Sequence, residues 1–170
     1  MAVLEIVKFG HPVLSAQALP IENINGDLQK LVSNMIETMY AAPGVGLAAP
    51  QVGIGKRLAV IDVTAGEDPS TLIVIINPEI KESEGELVRD EGCLSVPDFT
   101  AEVVRPKRVF VTGMDLNGKN VEYEATDLLA RAFCHEVDHL NGKFFLDRLS
   151  AIKRELIKRK IRKKVQAGEW

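Results

Sequence analysis

The sequence predicts a single α+β domain in which antiparallel or mixed β-sheets surround a central helix, with a further helix at the C-terminal end. Three observations lead there. At 170 residues the chain is long enough for one core that buries about two-thirds of the unfolded surface, and no segment reads as a linker, repeat or low-complexity tract. A helical segment is followed by several strand-like segments with a hairpin signal and then by two helical segments, which is not the alternation of a βαβ fold. Apolar residues make up 46% and charged residues 26%, the balance of an ordinary globular protein.

Along the chain, Leu28, Leu31, Val32, Met35, Ile36 and Met39 recur at three- and four-residue spacing and predict an amphipathic helix over 27–41. Pro43 and Gly44 end it. Positions 42–57, rich in glycine and alanine, read as a loop. Strand character follows at 58–63 and 72–76, the second rich in β-branched residues. A short strand at 86–89 leads into Glu91-Gly92-Cys93. Positions 103–115 and 121–125 flank Asn117-Gly118, which favours a type I′ hairpin turn with positive φ at both central residues. Thr126 is placed as the N-cap of a helix reaching Asn141, with Gly142 just past its end. Ser150 caps a last helix whose apolar side would comprise Ile152, Leu156, Ile161 and Val165.

The chemistry concentrates in the central helix. Of three histidines, His11 sits in a Gly-His-Pro turn and reads as a surface or packing residue, while His135 and His139 lie four apart in His135-Glu136-Val137-Asp138-His139. Residues four apart share a helix face, so both imidazoles can reach one metal, and Glu136 beside them can take a proton from a metal-bound water. Leu128, Ala132, His135, His139 and Gly142 continue one stripe, where buried imidazoles need partners that a metal would supply. The bland alternative is two ordinary histidines.

A catalytic site of this kind takes three protein ligands and water. The extended metallopeptidase pattern would put a third histidine at position 145, which is Phe145. Glu155 lies in a basic segment, and Cys134 is rotated by about 100° from His135 on the helix, as befits a small buried residue. Cys93 remains, which makes His₂Cys the economical ligand set; a Cys93–Cys134 disulfide is not expected in a reducing compartment. The run Gly44-Val45-Gly46-Leu47-Ala48-Ala49 formally fits a dinucleotide fingerprint, but a helix precedes it, and Pro50, Gly53 and Gly55 disfavour a helix after it. Small residues there let backbone approach a substrate instead. Gln51 is either a donor to an oxyanion or a solvated loop residue. Two competitors stay open on these residues: a metallopeptidase with a third ligand other than Cys93, and a nucleic-acid-binding module whose metal is closed by a fourth ligand.

Three segments together resemble the signature motifs of peptide deformylases: Gly44-Val45-Gly46-Leu47-Ala48-Ala49-Pro50-Gln51, Glu91-Gly92-Cys93-Leu94-Ser95, and His135-Glu136-Val137-Asp138-His139-Leu140-Asn141-Gly142. The similarity runs from Phe9-Gly10-His11-Pro12 to the final helix. It implies hydrolysis of the N-formyl group from the formylmethionine of nascent chains, releasing formate. Cys93, His135 and His139 would hold one divalent metal, Fe(2+) natively, with Zn(2+), Ni(2+) or Co(2+) accepted. A metal-bound water or hydroxide would be the nucleophile and Glu136 the general base and acid. Gln51 and the Leu94 N–H would meet the developing oxyanion. Gly44, Val45, Gly46 and Leu128 would contact substrate, with core packing the competing role for Leu128. Arg131 leaves the far wall of that pocket undefined. Glu91, Asp138 and Arg105 would fix ligand geometry or form a structural ion pair.

Charge is uneven. Residues 150–170 hold eight basic and two acidic side chains, against 13 basic and 22 acidic in residues 1–149. A basic helix on an acidic body suggests a polyanion, and for an enzyme acting on nascent chains the ribosome is the expected one. Apolar runs such as 72–76 are too short to cross a bilayer. Glu5 and Lys8 interrupt the N-terminal segment, unlike a secretory signal. A bacterial cytoplasmic monomer is expected, with no membrane contact.

Overall fold

A computed structural model describes residues 2–170. A short turn of helix, α1 (Pro12–Ser15), is capped by His11, whose Nδ1 accepts from the Val13 N–H at 3.2 Å. Next comes α2 (Gly26–Ala41), capped by Asn25, which accepts from the Leu28 N–H. The strands are β1 (Gly46–Ala48), β2 (Leu58–Ile61), β3 (Ile73–Glu84), β4 (Leu87–Cys93), β5 (Val96–Arg105), β6 (Arg108–Met114) and β7 (Asn120–Thr126). The long helices α3 (Asp127–Leu140) and α4 (Ala151–Gln166) complete the order, with 3-10 turns at Ala49–Val52, Pro69–Thr71 and Phe145–Arg148.

Five strands form one sheet in the order β1-β2-β3-β6-β7, and β4 with β5 forms a separate hairpin. Every strand pairing is antiparallel; the one parallel bridge among the described residues joins Leu19 to Lys56. The α+β class holds, with antiparallel rather than mixed sheets.

Apolar contacts place α3. Ala130, Phe133 and Cys134 pack against Ile61, Ile75, Val109 and Val111 of the five-stranded sheet. Truncating a buried ring such as Phe133 costs about 3–5 kcal/mol, whereas an exposed ion pair contributes roughly 0–1 kcal/mol. The rear face of α3 therefore anchors the helix, and its front face can carry polar groups toward the hairpin. On the other side, Val32, Met35 and Met39 of α2 pack on Leu47, Leu58, Val60 and Ile76. A third cluster, including Leu14, Val96, Phe144, Phe145 and Ile161, joins the hairpin to α4.

Local structure departs from expectation at five places. The glycine-rich loop contains β1, which pairs with β2. The expected strand over 103–115 is two strands, because Pro106 has no N–H to offer a ladder, and the chain there leaves the hairpin for the larger sheet. The turn at Asn117-Gly118 has positive φ at Gly118 only. Asp115 Oδ1 accepts from both the Asn117 and Lys119 N–H groups, and the Gly118 N–H reaches the Asp115 carbonyl, which selects a type I turn. Thr126 occupies the N-cap of α3 without a capping side-chain hydrogen bond. On α4, Ile152, Leu156 and Val165 are exposed, and Ile161 with partly buried Ile157 makes the packed side. Positions 157, 161 and 165 follow one face at four-residue spacing, but the packing ends before Val165, which is 56% exposed, while Ile152 and Leu156 lie on the adjoining face.

Candidate active site

The hairpin and α3 converge on three donor atoms. Cys93 ends β4 at a register shift, where a two-residue turn, Leu94-Ser95, leads into β5. Its Sγ lies 3.2 Å from His139 Nε2, which lies 3.1 Å from His135 Nε2. Cys93, His135 and His139 are the group whose ligand atoms all fall within 4.8 Å of one another. A tetrahedral ion with bonds of about 2.0–2.3 Å needs donors roughly 3.3–3.6 Å apart, so a small divalent cation fits this set.

The two imidazoles differ in their surroundings. Burial disfavours charge on His135, but the Cys93 sulfur and the Glu91 carboxylate outweigh it and hold the imidazole pKa well above its usual value. Burial and the neighbouring His135 charge push His139 well below. His135 Nε2, His139 Nε2 and the Cys93 sulfur face one another at the centre of this group.

Glu136 lies beside these groups, 2% exposed, and neither carboxylate oxygen has a protein hydrogen-bond partner among the described residues. Burial raises its pKa to about 7. Gly46 of β1 makes room for it: a Cβ there would sit 3.0 Å from Glu136 Oε2. A Cβ at Gly44 would likewise meet Leu94 Cδ1 at 2.9 Å. Gln51, fully buried in the 3-10 turn after β1, accepts from the Ala48 N–H through Oε1. That bond orients its Nε2 toward Cys93 Sγ at 3.6 Å and Ser95 Oγ at 3.2 Å.

Behind the donors runs a buried ion network. His135 Nδ1 is 2.7 Å from Glu91 Oε2, which leaves Nε2 to face the donor cluster. Arg105 grips Glu91 through both carboxylate oxygens, at 3.1 and 2.7 Å, and reaches Asp138 at 2.6 Å. Asp138 also accepts two bonds from Arg148. Burial disfavours a charged Glu91, yet hydrogen bonds from His135 and Arg105 hold its pKa well below the usual range. Among the described residues the Asp138 carboxylate makes no hydrogen bond to Cys93, His135 or His139; Arg105 and Glu91 link it to His135.

The family model described as polypeptide deformylase matches residues 3–155. The chain belongs to the polypeptide deformylase family. A peptide deformylase of Thermodesulfovibrio yellowstonii is 57% identical over 164 residues, 96% of this chain and 99% of that relative. Among solved structures, the peptide deformylase of Legionella pneumophila superposes with a TM-score of 0.90 at 44% identity, covering 98% of each chain. That of Ehrlichia chaffeensis, in complex with actinonin, gives 0.87 at 40% identity, covering 96% of this chain and 98% of its own.

In this member of the deformylase family, the front of the donor cluster opens into a cavity of about 940 Å³. Gly44, Val45, Gly46 and Leu128 all line it, together with Gln51, Cys93, Leu94, His135 and Glu136. Arg131 lines it too, and its guanidinium is tied to Glu91 Oε1 and to the Leu87 and Val103 carbonyls, so the far wall is a paired, buried cation. Sequence reasoning missed that role, and it missed Ser95 and Phe144. Ser95 accepts from Gln51, and its N–H points to Cys93 Sγ at 3.4 Å. Phe144 packs edge-on against His139 at 5.4 Å. Arg131 stands four residues before His135, a helical spacing that could have flagged it; nothing local marks the other two.

Proposed function

We propose that this deformylase hydrolyses the formyl amide of N-formylmethionyl peptides using Cys93, His135 and His139 as metal ligands and Glu136 as the proton carrier. The observation that carries this reading is the meeting of three donor atoms with an unpartnered, buried Glu136 carboxylate at the head of one cavity. A divalent ion, when bound, supplies Lewis acidity that polarises a carbonyl and makes a water acidic near neutral pH. Glu136 takes the proton of the attacking water and delivers it to the amine as the carbon–nitrogen bond breaks, so formate and a free amino terminus leave. Gln51 Nε2 and the Leu94 N–H flank Cys93 and meet the charge growing on the formyl oxygen; losing one such donor costs about 10²–10³ in rate. Val45 and Leu128 offer apolar walls to the methionine side chain. Gly44 and Gly46 bring backbone close to Leu94 and Glu136, and because the formyl carbon bears only hydrogen, a tight site there would exclude the bulkier acetyl group.

The assay is release of formate from formyl-Met-Ala-Ser by anaerobically purified protein. Glu136→Ala is expected to lose at least a hundredfold in kcat while keeping its metal, and Cys93→Ser to lose metal and activity together. Full activity in Glu136→Ala would remove the proton carrier from the mechanism. His₂Cys donors suit several divalent ions. Our reading is native Fe(2+), with Zn(2+), Ni(2+) or Co(2+) accepted, and metal analysis of the anaerobic protein tests it.

The same reading assigns α4 to the ribosome and the enzyme to the cytoplasm, acting as a monomer. No helix among the described residues is long and apolar enough to cross a membrane. Most of the eight basic residues at positions 153–164 face solvent; Arg162 has a weak partner in Glu155 at 3.8 Å and Lys164 one in Asp98 at 3.6 Å. Lys160→Glu with Lys163→Glu should weaken ribosome binding at least tenfold at low salt. Unchanged affinity would discard the docking role.

A further inference from the structure

The far rim of the cavity is the start of β5, where Val96, Pro97, Asp98, Phe99 and Thr100 face the substrate space. That rim is braced from behind by a residue far away in the chain. α4 ends in a full Schellman turn: the Gly168 N–H bonds the Val165 carbonyl, the Glu169 N–H bonds the Lys164 carbonyl, and Gly168 has φ +72. This turn sends Trp170 back onto the rim, with its ring 6.2 Å from that of Phe99. Lys164, one helical turn earlier, stands 6.0 Å above the Phe99 ring and 3.6 Å from Asp98. Trp170 also donates its indole N–H to the Phe9 carbonyl at 2.9 Å. Phe9 in turn donates its N–H to the Ser95 carbonyl at 2.8 Å.

We propose that Trp170 is a positioning residue for the distal part of the substrate: its ring holds Phe99 and the β5 rim, and so sets affinity for peptide beyond the first two residues. Trp170 touches none of the groups around Cys93, so its action reaches the peptide through Phe99. The inference rests on the deformylase reading, and two substrates keep the two apart. Hydrolysis of formyl-Met-Ala by the wild-type holoenzyme tests the activity alone.

In Trp170→Ala, kcat/KM for a formylated hexapeptide beginning Met-Ala, divided by that for formyl-Met-Ala, should fall about five- to tenfold, the size of one lost aromatic contact, with the change in KM. Trp170→Phe keeps a ring against Phe99 without the N–H and should restore the ratio. An unchanged ratio in Trp170→Ala, whatever happens to Tm, overturns the proposal. So does a Trp170→Phe enzyme that behaves like Trp170→Ala, since the action would then lie in the bond to Phe9. Trp170 is the only tryptophan in the chain, so the unaltered holoenzyme gives a second reading even where a variant fails to fold. Saturating deformylated hexapeptide should quench or shift its emission while Met-Ala leaves it unmoved. The same response to both would sink the idea.

Discussion

Two buried carboxylates in this protein live in opposite surroundings. Glu136 has no protein donor, and burial lifts it to about 7. Asp62, at the end of β2, is fully buried, yet it accepts from Tyr40, Thr64 and Thr71 hydroxyls and from the Thr64 and Gly66 N–H groups. Burial pushes Asp62 upward, but those donors together prevail and hold its pKa well below the carboxylate range. One carboxylate is left free to exchange protons, and the other is locked as an anion that pins the loop after β2. A depressed folded pKa stabilises above the unfolded value near 4 and is lost as pH falls through the folded one. Asp62→Asn should therefore cost about 1–3 kcal/mol at pH 7, and urea unfolding should show wild type and variant converging below pH 4. A gap that persists undiminished at low pH would mean that shape, not charge, matters there. Glu136 was legible because H-E-x-x-H ties it to two histidines. Asp62 was not, since its hydroxyl partners come from α2 and from the eleven residues between β2 and β3, with no motif between them.

At the scale of elements, α3 was the most legible, because its chemistry and its period coincide. Its end was also foreseen at Gly142, and the structure makes that glycine doubly necessary. The Gly142 N–H bonds the His139 carbonyl and the Lys143 N–H bonds the Asp138 carbonyl, a Schellman turn at φ +75. A Cβ at this position would lie 2.7 Å from the Ser15 carbonyl oxygen, which is backbone and cannot swing away. Gly142→Ala should thus lose more than the ~1–2 kcal/mol of a left-handed residue, roughly 2–4 kcal/mol in a urea midpoint measurement. A loss below 1 kcal/mol would show that α1 yields easily. The turn at Asn117-Gly118 was misread because Asp115, two residues earlier, supplies side-chain hydrogen bonds that outweigh the dipeptide's own preference. The packed face of α4 was misread because its neighbours in the third core cluster come from the N-terminal segment, the hairpin and the turn after α3.

For the molecule as a whole, three segments with no local relation supply one site: β1 with its 3-10 turn, the β4–β5 hairpin and α3. Their order and residue types were readable; their common destination was readable only through resemblance to a family. The supports of the donors that no local pattern marks, Ser95 and Phe144, take their roles from tertiary neighbours. Because Cys93 and the two histidines come from two elements, a metal held by all three would join hairpin to helix. At 100 times its Kd a ligand adds about 2.7 kcal/mol to stability, which for a domain of this size is roughly 5–10 °C in Tm. Chelation should lower Tm by that amount in the wild type and by much less in Cys93→Ser. Equal behaviour of the two would mean that the metal does not bridge the elements.

The separations in sequence also order events in time. His135 and His139 come together as soon as α3 forms, but Cys93 is 46 positions from His139, and Trp170 is 161 positions from Phe9. Doubling a loop adds only about 0.6 kcal/mol to the entropy of closing it, so these distant ties cost little at equilibrium. Their effect is kinetic, since contacts remote in sequence form after local ones. With Cys93, His135 and His139 as the proposed ligands, a folding chain owns two of the three early and gains the third last, so tight metal uptake would mark a molecule whose hairpin and helix have already found one another.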